Sequence, residues 1–234
     1  MKPWRIIAGS GAVALIGGFA GAAAYSALGL GNAQTRAYLV ANPDVLPAMA
    51  DALVARQAAG QLAGVADEVT EPFPGAVLGN PNGSRTLVKF TDYACGYCRA
   101  SVPDIERLVA GDPELKVVVR EWPVFEGSEE AARMSLAAAR QGRFAQFYEA
   151  MFAAGSTSSD AVERAAKAAG LDMTAARAFA ASAEADAALS RNMELAETLG
   201  FRGTPSWVAG DQVLNGMVGY DRLAEALERS DTGA

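Results

Sequence analysis

The stretch KFTDYACGYCRASVPDIERL, residues 89–108, holds Cys95 and Cys98, the two cysteines of a 234-residue chain. Just before them the run TLVKFT (86–91) carries β-branched and aromatic residues that suit a strand. From Cys95 the pattern turns helical, runs to about Ala110 and stops at Gly111. A second strand run follows, LKVVVREW (115–122), rich in valine as buried strands are. Strand, helix, strand in that order implies a parallel pair with a right-handed crossover.

Three chemistries compete for the cysteine pair. A structural disulfide here closes a loop of only four residues. The chain-entropy model gives such a bridge roughly 2 kcal/mol, against about 3 for a loop of about 15 residues. A chain with one bridge for stability gains more by spanning a longer loop. A metal site needs further ligands, and copper(I) or a zinc shared with a second chain is the form that two thiolates allow. Redox exchange accounts for more of the pattern. Cys95 stands at a helix N-terminus, where backbone N–H groups and the dipole stabilise a thiolate. That thiolate attacks a substrate disulfide, and Cys98, one turn on, attacks Cys95 to release the product. Gly96 and Tyr97 between them set the redox poise.

Composition narrows the field. The chain contains no histidine, which excludes Ser-His and Cys-His nucleophile pairs and zinc sites that use imidazole. Its net charge of −7 comes without a cluster of Lys and Arg, which argues against a nucleic-acid partner. Apolar residues make up 51%, enough for a sizeable core.

The N-terminus differs from the rest. Lys2 and Arg5 precede a Gly/Ala-rich apolar run from Ile6 to Leu30, with no further charge until Arg36. A positive end followed by about 20 apolar residues reads as a secretory signal or an uncleaved anchor, rather than a buried helix. Tyr25-Ser26-Ala27 is a weak cleavage signal, which favours the anchor. Either places residues after 32 in an oxidising, extracytoplasmic compartment such as the periplasm, where thiol pairs cycle.

Residues 33–67 read as a helical arm, with Asn42 as N-cap and Pro43 in the first turn. Leu39, Leu46 and Leu53 recur every seven residues beside Met49, a stripe that suits packing on its own domain or self-association. A Pro/Gly-rich linker at 70–84 includes a short edge strand at Ala76–Leu78. An Ala-rich helical block spans about 128–200, with Ser128, Asp160 and Asp172 as N-caps and Gly142, Gly155, Gly170 and Gly200 as breaks. Its stripe Phe144, Phe147, Tyr148, Met151 and Phe152 reads as core. Two strands then flank a turn at Gly210-Asp211, and a last helix covers Tyr220–Arg229. The order implies an α/β fold, a mixed sheet with a helical insertion.

FTDYACGYC, then VVREWPVF, the Ala-rich helices and GFRGTPSWV together resemble the DsbA-like thiol-disulfide oxidoreductases over about residues 68–230. RAYLVANPDVLPAMADAL is similar to the N-terminal helices of the ScsC-like and Com1-like branch, some of which associate through that arm. The resemblance implies a thioredoxin-like fold preceded by a helical arm, with no cofactor. Its implied partners are exported proteins with thiols or disulfides, a redox-recycling membrane protein, and a second copy through the arm. It further implies that Thr204 precedes a cis Pro205 and that the Thr204 backbone holds an extended substrate peptide beside Cys95.

Two features set expectations about direction and mechanism. CGYC, and a threonine before the cis-proline, resemble disulfide isomerases such as DsbC, whereas strong oxidases of the family more often carry Pro-His between their cysteines. The expected activity is therefore oxidase or isomerase, milder than the strong oxidases. Many family members have an acid where this chain has Lys89, six residues before Cys95. A buried lone ammonium is costly, so Lys89 is expected to pair with Glu121 on the next strand, or to reach solvent at the sheet end. The competing reading is a copper(I)- or client-binding module without redox turnover.

Overall fold

The computed structural model describes residues 21 and 29–232. The apolar run read as a signal or anchor lies almost wholly outside them. Among the described residues no helix is long and apolar enough to cross a membrane.

The chain divides into two units, residues 1–54 and 55–234. The described part of the first holds helix α1 (Leu30–Ala41) and the start of α2 (Val45–Ala63). Asn42 caps the C-terminus of α1 rather than opening the next helix. Its side-chain amide donates to the Tyr38 carbonyl at 2.8 Å, and α2 starts only at Val45. Pro47 falls in the first turn of α2, where its missing N–H costs no intrahelical bond. Leu46, Met49 and Leu53 are exposed, so the sevenfold stripe is not covered within the described unit.

In the second unit, α3 (Ala66–Thr70) leads to a sheet of β1 (Val77–Gly79), β2 (Arg85–Thr91), β3 (Leu115–Glu121), β4 (Ser206–Ala209) and β5 (Gln212–Asn215). The order is β1-β3-β2-β4-β5, with β2 and β3 parallel and the other pairs antiparallel. The β2–β3 crossover is α4 (Gly96–Ala100) followed by α5 (Val102–Gly111). The single helix expected there is broken at Ser101. Pro103 lacks the N–H that would continue the ladder, and Ser101 Oγ instead donates to the Cys98 carbonyl at 2.7 Å. Between β3 and β4 run α6 (Glu129–Arg140), α7 (Phe144–Ala154), α8 (Ser159–Ala168), α9 (Met173–Ala180) and α10 (Ala183–Thr198). The breaks at Gly142, Gly155, Gly170 and Gly200 all have positive φ, which glycine adopts without a Cβ penalty. Asp172 caps α9, accepting from the backbone N–H groups of Thr174 and Ala175. Ser158 takes the capping role expected of Asp160, which lies in the first turn of α8. Helix α11 (Tyr220–Thr232) closes the unit.

Alternation along the strands sends two sets of side chains to opposite faces. Leu87, Val117, Val119 and Trp207 face the cysteine helix, the insertion and α11. Val88, Phe90, Val118 and Val208 pack against Leu62, Val69, Leu195, Leu199 and Phe201. Arg120 lies on this second face and is buried. Its guanidinium donates to the carbonyls of Glu68, Val69 and Glu71 and to Asn192 Oδ1. It thereby satisfies carbonyls left open around the end of α3. Burial pulls its pKa down to about 10.

Candidate active site

Strand β2 delivers the chain to the site, and a tight turn aims it. Asp92 is buried, and one carboxyl oxygen accepts from Ala94 N at 2.7 Å. The other accepts from Val124 N at 2.7 Å, Phe125 N at 2.9 Å and Ser128 Oγ at 2.8 Å. One side chain thus ties the turn before Cys95 to the loop after β3. It also explains why Ser128, although at the start of α6, makes no side-chain cap there.

Cys95 is the N-cap residue of α4, and its sulfur accepts from Cys98 N at 3.4 Å. Its thiol donates to the Thr204 carbonyl at 3.1 Å. The Thr204–Pro205 peptide bond is cis, and this loop stands against the cysteine pair. Both cysteines are free thiols here; Cys95 is 2% exposed and Cys98 is fully buried. Gly96 and Tyr97 are exposed above them, Tyr97 at 69%. Val124 and Phe125, whose N–H groups are tied to Asp92, and Met217, next to the Gly216 that bonds the Pro205 carbonyl, are exposed apolar residues.

Lys89 and Glu121 are both buried under the site, and the expected ion pair between them does not form. The register explains why. Lys89 lies opposite Val119, whereas Glu121 lies opposite Thr91, one step further along the same face. Nor does Lys89 reach solvent: its Nζ donates to Tyr148 Oη at 2.7 Å and to the Cys98 carbonyl at 3.4 Å. Burial pulls its pKa down to about 8, although Cys98, Glu121 and Cys95 pull the other way. Glu121 Oε1 accepts from Tyr93 Oη at 3.1 Å and Ser135 Oγ at 2.7 Å, while Oε2 has no partner. Burial pushes its pKa up to about 8, against the pull of those two hydrogen bonds.

A raised carboxyl pKa makes a pH signature. Below about pH 4 the group is neutral in folded and unfolded chains alike and costs nothing. As pH rises toward 8 the unfolded chain ionises and the folded one does not, so stability is lost. Glu121→Gln removes that loss while keeping an oxygen that accepts from Tyr93 and Ser135. Its stability relative to wild type is expected to grow between about pH 5 and pH 8, by on the order of 3 kcal/mol, in urea melts run at both pH values.

The sheet order, and a helix N-terminus bearing both cysteines against a cis-proline loop, define a thioredoxin fold. Residues 86–228 match the family of DSBA-like thioredoxin domains, which is more than half of the chain, and the protein belongs to that family of thiol-disulfide oxidoreductases. It is similar to a thioredoxin-like oxidoreductase from Silicibacter pomeroyi DSS-3, at 40% identity over 68% of this chain and 92% of that one, with a TM-score of 0.65. It is also similar to a linker-deletion variant of Proteus mirabilis ScsC, at 25% identity over 87% of this chain and 94% of that one, with a TM-score of 0.70. A periplasmic thioredoxin-like protein from Salmonella enterica serovar Typhimurium shares 26% identity over 69% and 92% of the two chains, with a TM-score of 0.62. No curated protein matches at a significant level.

The sequence assigned Asp92, Tyr93 and Tyr148 no part in the site. Asp92 carried a signal, since an Asp three residues before a helix N-cap suits an Asx turn. Tyr148 kept its core spacing, and nothing local shows that its hydroxyl meets a lysine 59 positions earlier.

Proposed function

We propose that the protein exchanges disulfides with exported protein substrates through Cys95-Gly96-Tyr97-Cys98, as an oxidase or isomerase. Cys95 is the nucleophile and Cys98 resolves the mixed disulfide. The observation that carries this is the Cys95 sulfur itself, held at the start of α4 with Cys98 N at 3.4 Å and the Thr204 carbonyl at 3.1 Å. That carbonyl and the Thr204–Pro205 loop stand where an extended peptide would lie against the nucleophile. The exposed Tyr97, Val124, Phe125 and Met217 offer apolar contact for a protein substrate.

In this reading residues 1–32 direct or anchor the chain, 33–67 form the arm, and 68–230 form the catalytic domain. The domain then works in the periplasm or at the extracytoplasmic face of the inner membrane, recycled by a membrane redox partner. The exposed Leu46, Met49 and Leu53 support self-association of the arm, which suits an isomerase that brings two sites to one client. With no histidine to hold a thiolate, the expected reduction potential lies near about −180 mV or below, not near about −120 mV.

Insulin reduction and oxidation of a reduced protein, followed with and without Cys95→Ser, test the reading. Turnover that depends on Cys95 supports it. Copper(I) bound through both cysteines, with no turnover, would replace it by a carrier. Sedimentation of the protein without residues 1–32 tests the isomerase arm, and a monomer removes its support.

A further inference from the structure

The space beneath Cys98 is arranged for a negative charge that the resting thiol does not carry. Lys89 is wholly buried, and both of its hydrogen-bond acceptors, Tyr148 Oη and the Cys98 carbonyl, are neutral. Its Nζ lies 5.3 Å from the ring centroids of Tyr148 and Phe152 and 5.4 Å from that of Trp207. Among the described residues it makes no ion pair with a carboxylate. A cation in such a setting lacks the partner that ordinarily offsets its desolvation. The hydroxyls of Thr204 and of Thr91, two residues after Lys89 on the same face of β2, are also buried without a hydrogen-bond partner, and both oppose the rise that burial imposes on the Cys98 thiol.

We propose that Lys89 and Thr91 form a receptor for the Cys98 thiolate, which eases the step in which that sulfur leaves or attacks. The inference rests on the thiol-exchange reading above and deepens it. When a substrate thiolate attacks Cys95 Sγ of the oxidised pair, the Cys95–Cys98 bond breaks. Its electron pair passes to Cys98 Sγ, beside the Lys89 charge and the Thr91 hydroxyl. In the reverse step the Cys98 thiol gives its proton to solvent, its thiolate attacks Cys95 Sγ, and the substrate sulfur leaves as a thiolate. Fixed charge and donors aimed at a developing anion in a dry site act strongly on such a step. The chain has no histidine, so Lys89 supplies a positive charge from below the pair.

The neighbouring groups are consistent with a charged Lys89 at neutral pH. Cys95 and Cys98 face it from α4, Asp104 from α5, Glu121 from β3 and Tyr148 from α7. Glu121 holds its proton up to about pH 8 and so does not neutralise the ammonium. Burial pushes the Cys98 thiol up to about 11, and Lys89 is the largest influence opposing that rise.

Two readouts on the full-length protein test this: the equilibrium of the pair with glutathione, and the rate at which a Cys95–glutathione mixed disulfide closes onto Cys98. Lys89→Met is expected to slow closure about tenfold and Lys89→Glu to slow it further, while the equilibrium near neutral pH stays close to that of wild type, because Cys98 of the reduced pair is then a neutral thiol. Thr91→Val removes a hydroxyl without a partner and keeps the shape, so it retains the fold even where Lys89→Met does not. It is expected to act in the same direction, by roughly threefold. A wild-type closure rate in Lys89→Met or in Thr91→Val, or faster closure in either, overturns the receptor and leaves thiol exchange standing. A wild-type protein that does not exchange with glutathione overturns both.

Discussion

Replacing Cys95 with serine is expected to abolish thiol exchange, while the fold survives. Serine keeps the N-cap role, since its hydroxyl accepts the Cys98 N–H as the sulfur does and serine is a preferred capping residue. The helix therefore retains its start. What is lost is the polarizable anion that attacks sulfur, because a serine alkoxide is not available near neutral pH and the chain has no histidine to generate one. Insulin reduction is expected to fall at least about a thousandfold, to the uncatalysed rate, with a thermal midpoint near that of wild type. Cys98→Ser gives the complementary result: Cys95 still attacks, and the mixed disulfide accumulates because nothing resolves it. The accumulated adduct is visible by mass under non-reducing conditions.

The second large effect belongs to Asp92, which makes no contact with substrate in the proposed mechanism. Asp92→Ala strips acceptors from the N–H groups of Ala94, Val124 and Phe125 and from Ser128 Oγ at once. Groups left buried without a partner each cost about 1–3 kcal/mol, and partial rearrangement of the two loops recovers some of that. The expected loss is about 3 kcal/mol, or roughly 10 °C in the melting midpoint for a chain of this size. Because one of the freed loops carries the turn into Cys95, insulin reduction falls several-fold as well. Asp92→Asn keeps one accepting oxygen and turns an amide N–H₂ toward donors. It is expected to lie between wild type and alanine in both measurements.

Much of this architecture is legible from local chemistry. The valine-rich run at 115–122 and the β-branched run at 86–91 became the central parallel pair, since buried strands need such side chains on both faces. The four glycines read as helix breaks all adopt positive φ, where other residues pay a steric cost. Failures cluster where a residue has two local uses. Asn42 suits either end of a helix, and its amide went to the Tyr38 carbonyl. Pro103 suits a first turn or a break, and here it does both, ending α4 and opening α5.

In the site, the cysteines and the dipeptide were legible because a compact motif carries them, and the cis Thr204–Pro205 bond was expected only through the resemblance to DsbA-like proteins. The surroundings of Lys89 were not legible, because they depend on register and on a partner from a distant helix. Adjacent strands suggested Lys89 with Glu121. A register offset of two residues instead gave Glu121 to Tyr93 and Ser135, and Lys89 to Tyr148. Long-range pairings of this kind leave no periodic trace in a sequence.

In the proposed function Cys95 and Cys98 cycle as a pair between thiols and a disulfide. The most direct measurement equilibrates the purified protein in glutathione buffers of stepped redox ratio, quenches with acid, alkylates free thiols and weighs the chain. One cooperative transition is expected, from no alkylated cysteine to two, with the midpoint in the range of mild oxidants, near about −180 mV or below. Two alkylated cysteines at every ratio would contradict it, because a pair that stays reduced across the whole range has no disulfide to exchange.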